Sequence, residues 1–150
     1  MVFDPPDPDF AERVRASFAR QRAMETLGAR LLRVAPGEVE VELAFRKELT
    51  QQHGFLHAGV VTTVLDSACG YAAFSLMPAD AAVLSIEFKV NLLAPARGEW
   101  LLARGRIVRA GRNVTVCAGD AFMVGDGEER QIATMLATMM TVRDRPGLIG

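Results

Sequence analysis

The period of the apolar positions changes twice along this chain, and each change marks a new kind of element. Asp7-Pro8 reads as a helix N-cap followed by a proline in the first turn. Phe10, Val14, Ser17, Phe18, Gln21 and Met24 then recur at helical spacing, with Arg13, Arg15, Arg20 and Arg22 mostly off that stripe. Gly28 supplies the stop. The pattern predicts one amphipathic N-terminal helix over residues 8–27, its arginines forming a solvated face.

Beyond Gly28 the period becomes two. Leu31 to Val34 predicts a strand, Pro36-Gly37 a turn, and Val39, Val41, Leu43 and Phe45 alternate with Glu38, Glu40 and Glu42 in a strand with one wet face. After a central apolar stretch the alternation returns. From Ala82 to Leu93, the residues Leu84, Ile86, Phe88, Val90 and Leu92 are expected on one face, and Ser85, Glu87, Lys89 and Asn91 on the other. Three long strands follow, Trp100–Arg109, Asn113–Val124 and Gln131–Val142, with Ala110-Gly111 and Asp126-Gly127 as hairpin turns. The last two are apolar or small on both faces, as in the middle of a sheet or at a subunit contact. Two strands, a helix and four more strands make an α+β layer arrangement.

The stretch between the two sets of strands, Gln51 to Pro78, organises the rest. A polar lead-in, Gln51-Gln52-His53-Gly54, passes through His57-Ala58-Gly59 into an apolar run that Pro78 closes. Ala58, Gly59, Ser67, Ala68, Gly70, Ala72 and Ala73 are small, and no face is strongly charged. This predicts a central helix over 57–77, buried all round and in close contact with its neighbours. Asp66 does not belong there, because a carboxylate in a buried helix is costly unless paired or used.

Bulk properties narrow the function. At 150 residues the chain is expected to fold as a single domain over 1–150, and 50% apolar with 23% charged residues is ordinary globular composition. A net charge of −1 gives no footprint for nucleic acid or an acidic membrane. Cys69 and Cys117 are too few for a disulfide framework and read as reduced thiols of a cytoplasmic protein. The acidic N-terminus lacks the apolar stretch of a signal peptide. The run from Gly54 to Ala79 is apolar enough to suggest a membrane span, but Asp66 near its middle argues for a buried soluble helix.

Helical spacing places Gly59, Thr62, Thr63, Cys69 and Gly70 around Asp66, a narrow strip of small or polar residues. A first turn opened by His57-Ala58-Gly59 would aim free backbone N–H groups outward, where they could hold a developing oxyanion. The spacing of Gln51, His57, Gly59 and Asp66 resembles the PaaI-type hotdog acyl-CoA thioesterases. Their signature is an Asn or Gln, then His-Gly-Gly, then an Asp or Glu in the central helix. The resemblance spans Gln51 to Val142 and departs at Ala58, which replaces the middle glycine and leaves less room for substrate beside the backbone.

That resemblance implies a hotdog fold, a long antiparallel sheet wrapped around a central buried helix, here with an extra N-terminal amphipathic helix. It implies an acyl-CoA substrate and a homodimer or dimer of dimers, with the Ala82–Leu93 strand pairing across the two-fold. Ser85 falls where some members carry a polar residue near the attacking water. The basic hairpin end, Arg109 and Arg112 with Asn113 beside them, resembles the family's clamp for the coenzyme A phosphates. Arg104 and Arg106 are weaker members of that cluster.

Each of these residues also has an ordinary reading. Asp66 could be a structural acid satisfied by Thr62, and Gln51 a solvated loop residue. His57 could serve the helix start or the substrate carbonyl. His53 is expected on the surface, and Cys69 without a nearby base is a small core residue. No third ligand accompanies the two histidines at metal spacing, so no metal or other cofactor is expected. Phe55, Tyr71, Phe74 and Leu76 are the candidates for setting pocket depth.

The resulting expectation is hydrolysis of an acyl-CoA thioester. Backbone N–H groups at Ala58 and Gly59 polarise the carbonyl, Gln51 orients water or carbonyl, and Asp66 activates water or attacks through an anhydride. A thiol of pKa about 8.5 leaves as thiolate with little acid assistance. The alternatives are a non-catalytic acyl-CoA-binding module, a hydroxyacyl dehydratase, and a purely structural oligomerising domain. Gly59 and Asp66 are seven residues apart, roughly 10 Å along a helix, so one chain cannot supply both to one carbonyl. Two chains in antiparallel array could.

Overall fold

The computed structural model describes residues 3–148 and 150. Helices α1 (Phe10–Ala19) and α2 (Arg22–Leu27) precede the hairpin of β1 (Ala29–Ala35) and β2 (Glu38–Ala44). A 3₁₀ turn over Lys47–Leu49 leads to the central helix α3 (Ala58–Phe74). The strands β3 (Ala82–Leu92), β4 (Trp100–Arg109), β5 (Val114–Gly125) and β6 (Glu128–Val142) complete one sheet, entirely antiparallel, in the order β1-β2-β4-β5-β6-β3. The sheet wraps α3: this is the hotdog fold.

Turn chemistry sets the hairpins. Asp126 and Gly127 both take positive φ, 52° and 77°, the backbone of a tight hairpin turn whose twist matches its strands. Pairing therefore continues to Gly125 and Glu128, and β6 starts earlier than the expected Gln131. Gly37, also at positive φ, turns β1 into β2, and its N–H donates to the buried Ser75 Oγ at 2.8 Å beyond the end of α3.

The core lies between α3 and the inner face of the sheet. Close contact is bought with small residues on both sides: a Cβ on Gly105 of β4 would collide with the main-chain carbonyl of Ala68, and one on Gly119 of β5 would sit 2.7 Å from Cys69 Sγ. α3 is buried along most of its length, but not all round. Gly59 is exposed, and Thr62, Thr63 and Asp66 are half-buried, so the polar strip of its first half stays open.

Three further expectations are corrected. The stripe over 8–27 forms two helices. Arg20 and Gln21 close α1 with N–H bonds to Ser17 and Phe18 carbonyls, and Gln21 then turns extended (ψ 98°) to start α2. Gly28, at φ 73°, ends α2. At the front, Asp7 lies outside the helix, with its Oδ1 accepting from Asp9 N–H and its Oδ2 paired with Arg13 at 2.7 Å.

The third correction concerns β3. Its register with β6 slips between Ser85 and Glu87, leaving Ile86 as the extra residue of a bulge. Side chains paired in register share a face, so Ser85 opposite Met139 points inward with Phe88, Val90 and Leu92, while Leu84, Glu87, Lys89 and Asn91 point out. Strict alternation had put Ser85 on the wrong side.

Candidate active site

His57 caps α3. Its backbone is extended (ψ 138°), and its Nδ1 accepts from Gly59 N–H at 2.9 Å. A neutral ring with Nδ1 accepting carries its proton on Nε2, so His57 presents a donor to solvent. The His57 carbonyl takes the N–H groups of Val60 and Val61 at 2.9 and 3.3 Å. Among the described residues the Ala58 N–H has no acceptor, and it is the free donor of this helix start. Gly59 N–H, expected to share that task, is already engaged.

Gln51 sits in the lead-in turn, where its N–H donates to Phe55 O at 2.9 Å and its carbonyl accepts from Gly54 N–H at 3.0 Å. Its side-chain Oε1 accepts from His53 N–H, which leaves the amide NH2 unengaged among the described residues. Gln51 and Ala58 line one cavity of about 420 Å³, together with Phe55, Val61 and the Leu92-Leu93 end of β3. His53 is exposed, as expected.

Asp66 opens into a different cavity, of about 290 Å³, which it shares with Ser85. Ser85 Oγ donates to Asp66 Oδ1 at 2.7 Å. Thr62, the alternative partner, spends its hydroxyl on the Ala58 carbonyl at 2.8 Å. Of the four candidates for pocket depth, only Tyr71 lines this cavity. Phe74 is buried behind it, ring centroids 6.1 Å apart. Leu148 and Gly150 also line it, as do Ser17, Arg20 and Gln21 of the N-terminal segment. None of these last three was picked out by sequence reasoning. The available signal was that Ser17 and Gln21 are the polar members of an otherwise apolar stripe.

Arg109, Arg112 and Asn113 lie exposed at the β4–β5 turn and line neither cavity. Arg109 and Arg112 have no carboxylate within 4.0 Å among the described residues. Arg104 and Arg106 are committed elsewhere: Arg104 grips Glu129 with two bonds of 2.7 Å and Glu40 with one of 3.3 Å, and Arg106 is 3.8 Å from Asp120. Among the described residues no three His, Cys, Asp or Glu side chains gather as a metal set. No helix among them is long and apolar enough to cross a membrane.

Cys69 and Cys117 are buried and inert. Burial pushes both thiols up, Cys117 to about 12. Neither can supply a nucleophilic thiolate near neutral pH.

The pattern of the thioesterase superfamily matches residues 53–129 of the chain. The chain belongs to that superfamily. A thioesterase family protein from Silicibacter pomeroyi is similar at 57% identity and TM-score 0.87, covering 94% of this chain and 99% of that one. The E. coli PaaI protein from the phenylacetic acid degradation operon shares the fold, with TM-score 0.81 at 17% identity over 95% of this chain and 97% of that one. So does a Haemophilus influenzae thioesterase, with TM-score 0.77 at 20% identity, covering 85% and 87%. The general chemistry that goes with the superfamily is hydrolysis of a thioester.

Proposed function

We infer that the protein hydrolyses acyl-CoA thioesters, and that each active site is shared between two copies of the chain. The observation that carries this reading is the separation of the two half-sites. Ala58 N–H and Gln51 open into one cavity, Asp66 and Ser85 into another. Ala58 and Asp66 are eight residues apart on one helix, about 12 Å of rise. A carbonyl held at the helix start is out of reach of its own Asp66.

A two-fold axis that sets two α3 helices antiparallel removes the difficulty, because each helix start then meets the other copy's Asp66. The edge strand supports this arrangement. Among the described residues β3 has only β6 as neighbour, and Leu84, Ile86, Phe88 and Leu92 stand 43–53% exposed on it. A long apolar edge of this kind is a template for pairing with another chain.

In the shared site the Ala58 N–H and the positive end of α3 stabilise the thioester oxygen as it gains charge. The Gln51 amide and His57 Nε2–H are further donors at that end. Asp66, held by Ser85, takes the proton of the attacking water or attacks the carbonyl itself. Arg109 and Arg112, with no carboxylate partner among the described residues, take the coenzyme A phosphates, with Asn113 beside them. Incubation with a panel of acyl-CoAs, followed by release of free thiol, tests the reading. Release is expected, and it should fall by about two to four orders of magnitude with Asp66→Asn. Binding without any release points to the non-catalytic module instead.

A further inference from the structure

The cavity beside Asp66 is not built by the central helix and β3 alone. Its far wall is the break between α1 and α2, where Ser17, Arg20 and Gln21 meet Tyr71, with Leu148 and Gly150 beside them. At about 290 Å³ it falls at the small end of ligand pockets, which span roughly 300–1,000 Å³. That suits a short acyl group better than a long alkyl chain.

The far wall carries a surplus of hydrogen-bond donors. Ser67 Oγ donates to Gln21 Oε1 at 3.1 Å, leaving the Gln21 NH2 without an acceptor among the described residues. The Ser17 and Tyr71 hydroxyls are 3.3 Å apart, and two hydroxyls sharing one contact have a proton to spare. Burial pushes the Tyr71 phenol up, against the opposing Ser17 bond, so at neutral pH it remains a donor. Arg20 gives N–H groups to the main-chain oxygens of Ala16 and Gly150, at 3.1 and 2.7 Å, and holds others in reserve. Among the described residues Asp66 is the only acidic side chain lining the cavity, and it belongs to the reacting end; the Gly150 main-chain oxygen, also in the lining, takes one Arg20 N–H.

We propose that this cavity is the acyl pocket, and that Gln21, Arg20 and Tyr71 select a short acyl group ending in a carboxylate. The inference rests on the thioester-hydrolase reading and deepens it. A carboxylate accepts several hydrogen bonds at once, whereas a methyl end would leave the donors unpaired. Sites built to hydrogen-bond a substrate reject the analogue lacking that group far more strongly than an apolar pocket rejects an extra one.

Glutaryl-CoA and pentanoyl-CoA test this, since their chains are equally long and differ in a terminal carboxylate against a methyl. The wild-type kcat/KM for glutaryl-CoA should exceed that for pentanoyl-CoA by about tenfold or more. Gln21→Leu and Arg20→Met should each lower that ratio about fivefold. Gln21→Glu, which sets like charge against the carboxylate, should lower it further. A ratio is unaffected by partial loss of folded protein. Equal use of the two substrates by the wild type, or a ratio unmoved in all three variants, overturns the proposal. Calorimetric binding to the Asp66→Asn variant separates selection from hydrolysis. Tighter binding of glutaryl-CoA with no thiol release by the wild type keeps the pocket and sinks the hydrolase reading. Release without discrimination does the reverse.

Discussion

Ser85 Oγ donates to Asp66 Oδ1 at 2.7 Å, across the gap between the edge strand and the central helix. The bulge at Ile86 makes this possible by turning Ser85 inward, where its hydroxyl also lies 3.4 Å from Met139 Sδ. One carboxylate oxygen is thereby fixed, and Oδ2 has no partner among the described residues. Asp66→Asn keeps the shape and removes the charge. Turnover should fall by about two to four orders of magnitude while circular dichroism stays native. Ser85→Ala should lose less, about tenfold to a hundredfold, the range for one hydrogen bond to a charged group. Unchanged kcat in a folded Asp66→Asn protein removes Asp66 from the mechanism.

Sharing of the site predicts rescue. Asp66→Ala chains and Gln51→Ala chains, each inactive alone, should regain activity when co-refolded. A mixed dimer then holds one doubly damaged site and one intact site. If proven mixed dimers stay inactive, the two half-sites do not act together.

Arg109 and Arg112 lie apart from both cavities, so their replacement by alanine should spare the chemical step. KM for acyl-CoA is expected to rise with kcat nearly constant. A short N-acetylcysteamine thioester, which has no nucleotide to lose, should show no such rise. Equal damage to both substrates places the arginines elsewhere in the mechanism.

Gly105 faces α3 with no room for a Cβ, and the obstacle there is main chain, which cannot rotate aside. Gly105→Ala should therefore destabilise by about 3 kcal/mol, the upper part of the overpacking range. Thermal unfolding measures it, and a native Tm would mean that the helix stands further from β4.

The two thiols give a pH signature. Folded Cys69 and Cys117 hold their protons well above the ordinary value of 9.0, Cys117 to about 12. The unfolded chain releases those protons first, so the linked stability is whole below pH 9 and falls as the pH climbs toward about 12. Denaturant titrations at pH 8 and pH 10.5 should show the loss, and Cys69→Ala/Cys117→Ala should flatten it. Native protein at pH 8 should leave both thiols unreacted with a disulfide reagent until it unfolds.

What could be read from the sequence was what short-range periodicity encodes. The α3 run, the alternation of β2 and the glycine turns at Gly37 and Gly127 each carry a local signal. The polar strip around Asp66 was legible for the same reason, because residues three and four apart on a helix are neighbours whatever surrounds them. Ser85 escaped because a bulge adds one residue without leaving a mark in the hydrophobic pattern, and that reverses every face before it. The α1–α2 break escaped too, since the apolar stripe passes through Arg20-Gln21 without a glycine or proline to interrupt it. The contribution of Gln21 to the Asp66 cavity depends on that break together with a tertiary contact 46 residues away.

The order of strands also has a consequence for how the protein is made. β3 emerges from the ribosome before β4, yet its one neighbour in the sheet is β6, the last strand. Until β6 follows, an eleven-residue apolar segment has neither hydrogen-bonding edge covered. β2 has β1 beside it from the start, but its other edge must wait across α3 and β3 for β4. Pairings so distant in sequence close late and slowly. The newborn chain therefore passes through a stage in which the apolar β3 strand is open to other chains on both edges, and its yield on folding should depend on temperature and on how crowded its own copies are.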